Sequence, residues 1–174
     1  GMSIAFFDFD RTLIDCNSAW LWLKYEYDAG RMGYQKILRN SWAICRYSLG
    51  SQNLEETILG LLHDMRGESD QVFRERCLDF YTRCLRSHYR PGIDKILCSH
   101  RQKGDRLVML TSATSHIAEP AARDLQLDDV LCSRLEVDPE GYFTGKPTHL
   151  SYGGGKLALA SQYAHQWSIS LQDC

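Results

Sequence analysis

Hydrophobic residues fall along this chain in two rhythms. Ser3-Ile4-Ala5-Phe6-Phe7 is an unbroken, mostly apolar run that stops at Asp8; too short for a helix, it predicts a buried strand. From about Cys16 to Tyr89 the spacing turns helical. Leu38, Trp42, Cys45 and Leu49 stand at i, i+4, i+7 and i+11. Leu54, Ile58, Leu61, Leu62 and Met65 repeat the stripe, as do Phe73, Cys77, Phe80 and Cys84. Each stripe predicts one apolar helix face, with breaks at Gly30, Gly33, Gly50 and Gly67 and a further helix over 18–27. The block reads as a bundle of about four helices.

Arg90-Pro91-Gly92 ends that rhythm. Beyond it the pattern predicts a helix over 93–103, a buried strand Arg106–Thr111, a helix over 115–126, a strand near 130–133 and a helix over 154–166. Asp138-Pro139-Glu140-Gly141, set between Leu135-Glu136-Val137 and Tyr142-Phe143-Thr144, predicts a hairpin turn. Strands alternating with helices predict an α/β fold, a Rossmann-like parallel sheet with helices on both faces. The helical block is then an insertion after the first strand. The expected division is a core of residues 2–15 and 91–174 and an inserted domain of residues 16–90.

Composition narrows the classes. At 174 residues, 44% hydrophobic and 24% charged, the chain suits one ordinary globular unit, not a disordered or coiled-coil protein. Twenty Lys and Arg against 22 Asp and Glu leave a net charge of −2, which gives no electrostatic reason to expect nucleic acid or an anionic membrane. No apolar run approaches the roughly 18 residues of a membrane span, and the N-terminus has no signal-peptide pattern. Gly1 ahead of Met2 is set aside as a cloning remnant. The seven cysteines form no C-x-x-C pair, so free thiols and a cytoplasmic location are expected. Among the histidines, none has metal-ligand spacing along the chain.

The strongest chemical signal is Asp8-Phe9-Asp10-Arg11-Thr12, directly after the first strand. Ligands of parallel α/β sheets bind at the carboxyl ends of strands. Two carboxylates on alternate residues there repel each other unless a cation or a proton intervenes, and hard oxygen donors suit Mg²⁺. Ser112 closes the second strand, where its hydroxyl can donate to an anion lying over the sheet. Lys156 follows Gly153-Gly154-Gly155 at the start of a helix, where backbone and side chain both favour phosphate. The surroundings are not those of a Walker loop, since Leu150 and Leu157 occupy its required Gly and Ser/Thr positions.

Taken in order, Asp8-x-Asp10-x-Thr12, Ser112 and Lys156 resemble the first three motifs of the haloacid dehalogenase (HAD) superfamily. The inserted helices are similar to its C1-type cap. Arg90-Pro91-Gly92, Leu135-Glu136-Val137 and Gly141-Tyr142-Phe143-Thr144-Gly145 further resemble its phosphoserine-phosphatase-like branch, subfamily IB. That resemblance implies a Mg²⁺-dependent phosphatase acting on a small phosphorylated metabolite. Asp8 would attack phosphorus and become an aspartyl phosphate. Asp10 would protonate the leaving oxygen and then activate water. Ser112 and Lys156 would hold the phosphoryl oxygens, with Thr12 also on the substrate side and Asp8 and Asp10 at the metal.

Two departures stand out. The family's fourth motif, an acidic pair on a strand after the lysine helix, has no counterpart before the chain stops at Ser170-Leu171-Gln172-Asp173-Cys174, and Asp128-Asp129 comes too early to replace it. The expectation is a truncated form of a longer phosphatase, with a non-catalytic phosphate-binding or regulatory module as the alternative. Where phosphoserine phosphatases carry a Glu for the substrate amine, this chain has Asn17, and the spacing of Asp15 does not match. Phosphoserine is then one candidate beside others such as a histidinol-phosphate-like compound. Trp20, Trp22, Tyr25, Tyr27, Tyr34, Trp42 and Tyr47 are expected mainly in the bundle core. Arg31, Arg39 and Arg46 are expected on solvated faces, any one of them a possible clamp for a substrate carboxylate.

Overall fold

Strand β1 (Ile4–Phe7) sends successive side chains to opposite sides of a sheet, and both sides are covered. Ile4 and Phe6, with Val108 and Leu131, meet Tyr163 and Ala164 of a helix on one side. Ala5 and Phe7, with Leu107, Met109 and Cys132, join the larger core on the other. Burial on both sides is why these strands read as continuous apolar runs. The computed structural model describes residues 3–48, 54–151 and 154–167. Leu49, Gly50, Gly153 and Asp173 lie outside these, and the side chains of Tyr34, Arg46, Tyr47 and Leu54 are likewise outside the described set.

The sheet runs β1, β2 (Arg106–Thr114), β3 (Asp129–Val137), β4 (Phe143–His149) in spatial order. The first two pairings are parallel and the last antiparallel. Helices α5 (Ile93–Gln102) and α6 (Ser115–Asp124) pack on the larger core through Leu97, Ala118 and Ala121, while α7 (Gly154–Gln166) covers the other side. Leu107, Val108 and Met109 are fully buried. Burying a side chain of this size contributes about 2 kcal/mol. Two expected strand pieces, 130–133 and 135–137, are one strand, because β3 continues past its pairing with β2 into the hairpin with β4.

Between β1 and α5 come α1 (Ser18–Asp28), α2 (Tyr34–Ser48), α3 (Leu54–Asp64) and α4 (Asp70–Phe80). Asn17 caps α1 by accepting from the Ala19 amide at 2.9 Å, and Ser69 caps α4 by accepting from the Val72 amide at 3.3 Å. The chain enters and leaves this block side by side. Ile14 bridges Tyr89, the Asp15 amide donates to the His88 carbonyl at 3.0 Å, and the Arg90 amide donates to the Leu13 carbonyl at 2.9 Å.

The far end of the block is tied to the β3–β4 hairpin. The amides of Gly67 and Asp70 donate to the carbonyls of Phe143 and Gly141, each at 2.9 Å. Gly145 is required there: at φ +87°, a Cβ would lie 3.1 Å from Arg66 Cβ and 3.2 Å from His63 Cα.

The helical stripes meet different fates. Cys77 and Phe80 of α4 are buried, and Trp22 and Tyr25 of α1 pack beside Phe80. In α2, by contrast, Leu38 is 53% exposed and Trp42 67%. Trp20 and Tyr27 are also exposed, so the expected aromatic core shrinks to part of the set. A 3.6-residue stripe says which residues share a face and nothing about what that face meets. Among the described residues, no helix is long and apolar enough to cross a membrane, and Cys16, Cys45, Cys77, Cys84, Cys98 and Cys132 are free thiols.

Candidate active site

The chain beyond β1 does not continue straight. Residues Phe9–Leu13 form a wide turn closed by the Ile14 amide on the Phe9 carbonyl at 3.2 Å. Arg11 sits in the left-handed region at φ +59°, a conformation costly for a residue with a Cβ. The turn is held from both sides. The Arg11 amide donates to the Cys16 carbonyl at 3.2 Å, and the Arg90 guanidinium donates to the Arg11 carbonyl at 2.9 Å. Phe9 and Leu13 anchor it in the core.

This turn sets the carboxylates. Asp8 Oδ1 accepts from the Phe9 amide at 2.7 Å, and Asp8 Oδ2 lies 3.3 Å from Lys156 Nζ. Lys156 enters from the first turn of α7 with only 24% of its side chain exposed. Asp10 Oδ1 accepts from the Ser18 amide at 2.6 Å, which joins the turn to the start of α1. Burial pushes the Asp10 carboxyl above the usual aspartate range. Hydrogen bonds from Ser18 oppose the shift, and the charge of Asp8 adds to it.

Ser112 reaches the site through an irregularity in β2. The ladder passes from Leu110 beside Leu131 to Thr114 beside Ser133, so β2 advances four residues while β3 advances two. The extra residues bend the strand where Ser112 stands. Ser133 Oγ donates to the Ser112 carbonyl at 2.9 Å and accepts from the Ser151 amide at 2.9 Å. This buried serine went unnoticed in the sequence, where a Ser within a strand carries no signal.

Asp8, Asp10, Ser112 and Lys156 line one cavity of about 480 Å³. Asn17 and Ser133 also line it, and Ile58, Leu61 and Leu62 of α3 form its apolar wall. Thr12 is exposed on the turn and is not among the lining residues. Asp15 points elsewhere, pairing with His88 at 3.0 Å. A neighbouring cavity of about 360 Å³ shares Ser18, Ala19 and Leu61 with the first and extends among α1–α4. Its wall holds Glu26, paired with Arg31 at 3.0 Å and with Arg76 at 3.7 Å. Arg39 also borders it and pairs with Asp64 at 3.0 Å.

Two carboxylates at a strand end, sharing a cavity with a half-buried lysine and with Ser112, form a donor set that suits a hard divalent cation and a phosphoryl group. An α/β sheet carrying that set at its carboxyl edge defines a class of hydrolase sites. The haloacid dehalogenase-like hydrolase model matches residues 5–174, and the chain belongs to that family.

Among curated relatives, the "Inhibition of morphological differentiation protein" of Streptomyces azureus is 24% identical over 173 residues, covering 98% of this chain and 62% of the relative. A histidinol-phosphatase of Neisseria meningitidis serogroup C (strain 8013) is 22% identical over 172 residues, with 98% and 78% covered. The chain thus spans about three fifths to four fifths of these relatives' lengths.

Solved structures share the fold. A protein of unknown function from Bordetella pertussis Tohama I superposes with a TM-score of 0.84 at 22% identity, over 99% of this chain and 78% of that one. A phospho-aspartyl intermediate analogue of phosphoserine phosphatase gives 0.70 at 17% identity, over 99% and 75%.

Proposed function

We propose that this chain carries the catalytic residues of a phosphatase acting on a small phosphomonoester, with Asp8 as nucleophile and residues 16–90 as a cap over the site. The observation that carries the reading is the Lys156 ammonium 3.3 Å from the Asp8 carboxylate, in a cavity shared with Asp10 and Ser112. Asp8 and Asp10 are the residues that would hold Mg²⁺. When bound, the ion supplies the positive charge that lets a carboxylate approach a phosphate dianion.

Asp8 Oδ2 forms a bond to phosphorus as the bond to the leaving oxygen breaks, and Asp10 gives its proton to that oxygen. The raised Asp10 pKa, caused first by burial, suits a group that must hold a proton near neutrality. Asp10 then takes a proton from the water that attacks the aspartyl phosphate, freeing Asp8 and inorganic phosphate. Lys156 and the Ser112 hydroxyl hold the phosphoryl oxygens as charge moves between them. Thr12, exposed on the turn, is given no contact with the phosphoryl group. The leaving group extends into the neighbouring cavity, which suits a metabolite such as phosphoserine or histidinol phosphate in the cytoplasm.

A second reading, a phosphate-binding or regulatory module without turnover, draws on one feature. In the described sheet β1 is an edge strand, and the Asp8 side chain is 46% exposed.

Hydrolysis of an aryl phosphate with added Mg²⁺, on protein of verified intact mass, separates the two readings. The phosphatase reading expects turnover that falls on the order of 10³-fold or more in Asp8→Asn. Turnover unchanged by that substitution contradicts it. Phosphate binding with no turnover in any natural length of the protein favours the module.

A further inference from the structure

Outside the cavity, the two strands of chain that enter and leave the helical block bring together a carboxylate, a thiol and an imidazole. One ligand atom each from Asp15, Cys16 and His88 lies within 4.8 Å of the other two. His88 is more than 70 positions from Asp15 and Cys16 in sequence but adjacent in space, because Ile14 bridges Tyr89 and the Asp15 amide donates to the His88 carbonyl. Spacing along the chain hides such a set completely.

We infer that Asp15, Cys16 and His88 form a binding site for a borderline-soft divalent cation, with Zn²⁺ as its representative. The donor set argues for it. Thiolate, imidazole and carboxylate are the three ligand types zinc uses, and three protein ligands with a fourth position for water is a known arrangement. Mg²⁺ takes oxygen donors, so the thiol and imidazole separate this site from the Asp8–Asp10 pair.

Zinc bonds of about 2.0–2.3 Å place tetrahedral ligand atoms about 3.3–3.8 Å apart. The three atoms therefore close on an ion by side-chain rotation of less than about 1.5 Å, and the Asp15 and His88 side chains are exposed enough to make it. Asp15 Oδ1 and His88 Nδ1 already lie 3.0 Å apart, near the separation of two ligand atoms on one ion, and the ion takes the place of the proton between them. Burial first, then the Asp15 and Asp10 charges, hold the Cys16 thiol above its ordinary value, and a cation beside the sulfur displaces that proton.

A bound ion ties residues that precede α1 to His88, near the end of the inserted segment. The same segment carries the Cys16 carbonyl that holds the Arg11 amide, and so borders the turn that sets Asp8 and Asp10. The site lies outside the lining of the proposed phosphatase cavity and does not depend on that reading.

The test is metal binding to the purified chain in excess Mg²⁺, read by Zn²⁺ competition against a chromophoric chelator and by Co²⁺ absorption. The expectation is one Zn²⁺ per chain, bound tighter than about 10 µM, with thiolate-to-cobalt absorption. Cys16→Ser abolishes that absorption, and His88→Gln and Asp15→Asn each weaken Zn²⁺ binding about 10- to 100-fold. Asp8→Asn leaves binding unchanged. Three outcomes overturn the inference: no uptake by the wild-type chain, thiolate absorption that survives Cys16→Ser, or loss of the ion in Asp8→Asn.

Discussion

On the sheet side of the cavity, Leu107, Val108 and Met109 of β2 are fully buried, while Asp8 and Asp10 follow β1 and Lys156 comes from α7. On the helical side, α2 contributes Ala43 to the lining while Leu38 and Trp42 stay largely in solvent. Both β2 and α2 show apolar spacing in the sequence, yet β2 converts it into burial while Leu38 and Trp42 of α2 stay exposed. A strand covered on both faces leaves no choice of side, so an apolar run fixes its surroundings. A helix stripe fixes one face and leaves its partner to tertiary packing. The side chains proposed to act on phosphorus, Asp8, Asp10, Ser112 and Lys156, line the cavity from the sheet side and its covering helix α7.

Substitutions on the two sides sharpen this contrast. Lys156→Met is expected to lower kcat for phosphoester hydrolysis by about 10²- to 10³-fold, the cost of losing a preorganised charge. A change confined to KM would instead make Lys156 a ground-state binding group. Leu107→Ala is expected to cost about 2–5 kcal/mol in chemical denaturation, through lost transfer energy and the cavity left behind. The same truncation at Trp42 is expected to stay within about 0.5 kcal/mol. Comparable losses at the two positions would erase the difference between the walls.

A smaller effect tests the cavity's electrostatics. Burial raises the Asp10 pKa, so the folded chain retains a proton that the unfolded chain, at an aspartate value near 3.8, has lost. Asp10 therefore contributes most favourably at acid pH, and its contribution falls as pH rises through the folded value. Asp10→Asn removes that slope while keeping an acceptor for the Ser18 amide. Its melting temperature, without added metal, is expected to exceed wild type at neutral pH, with the gap closing as pH falls toward 3.8. A variant equal to or below wild type at neutral pH contradicts the assigned cause.

Much of this architecture was legible in the sequence because local rules govern it. The apolar run ending at Asp8 marks β1, Arg90-Pro91-Gly92 marks the return to the sheet, and Asp138–Gly141 marks the hairpin. Asp8, Asp10, Ser112 and Lys156 were each visible as strand-end or helix-start polar residues, and the fold brings the four into one cavity. What escaped depends on contacts between distant segments. Ser133 matters only because the Ser112 carbonyl and Ser151 amide lie beside it. The two-residue excess in β2 exists only relative to β3. Asp15, Cys16 and His88 meet only because the two linkers run side by side.

The central claim, that Asp8 forms a bond to phosphorus, is tested most directly by trapping. The protein is mixed with a reactive phosphomonoester and Mg²⁺, quenched in acid, and digested for peptide mass mapping. Phosphate on the peptide that holds Asp8, absent in Asp8→Asn, is the predicted result. Steady hydrolysis with no phosphate on that peptide, or phosphate on a different residue, contradicts it.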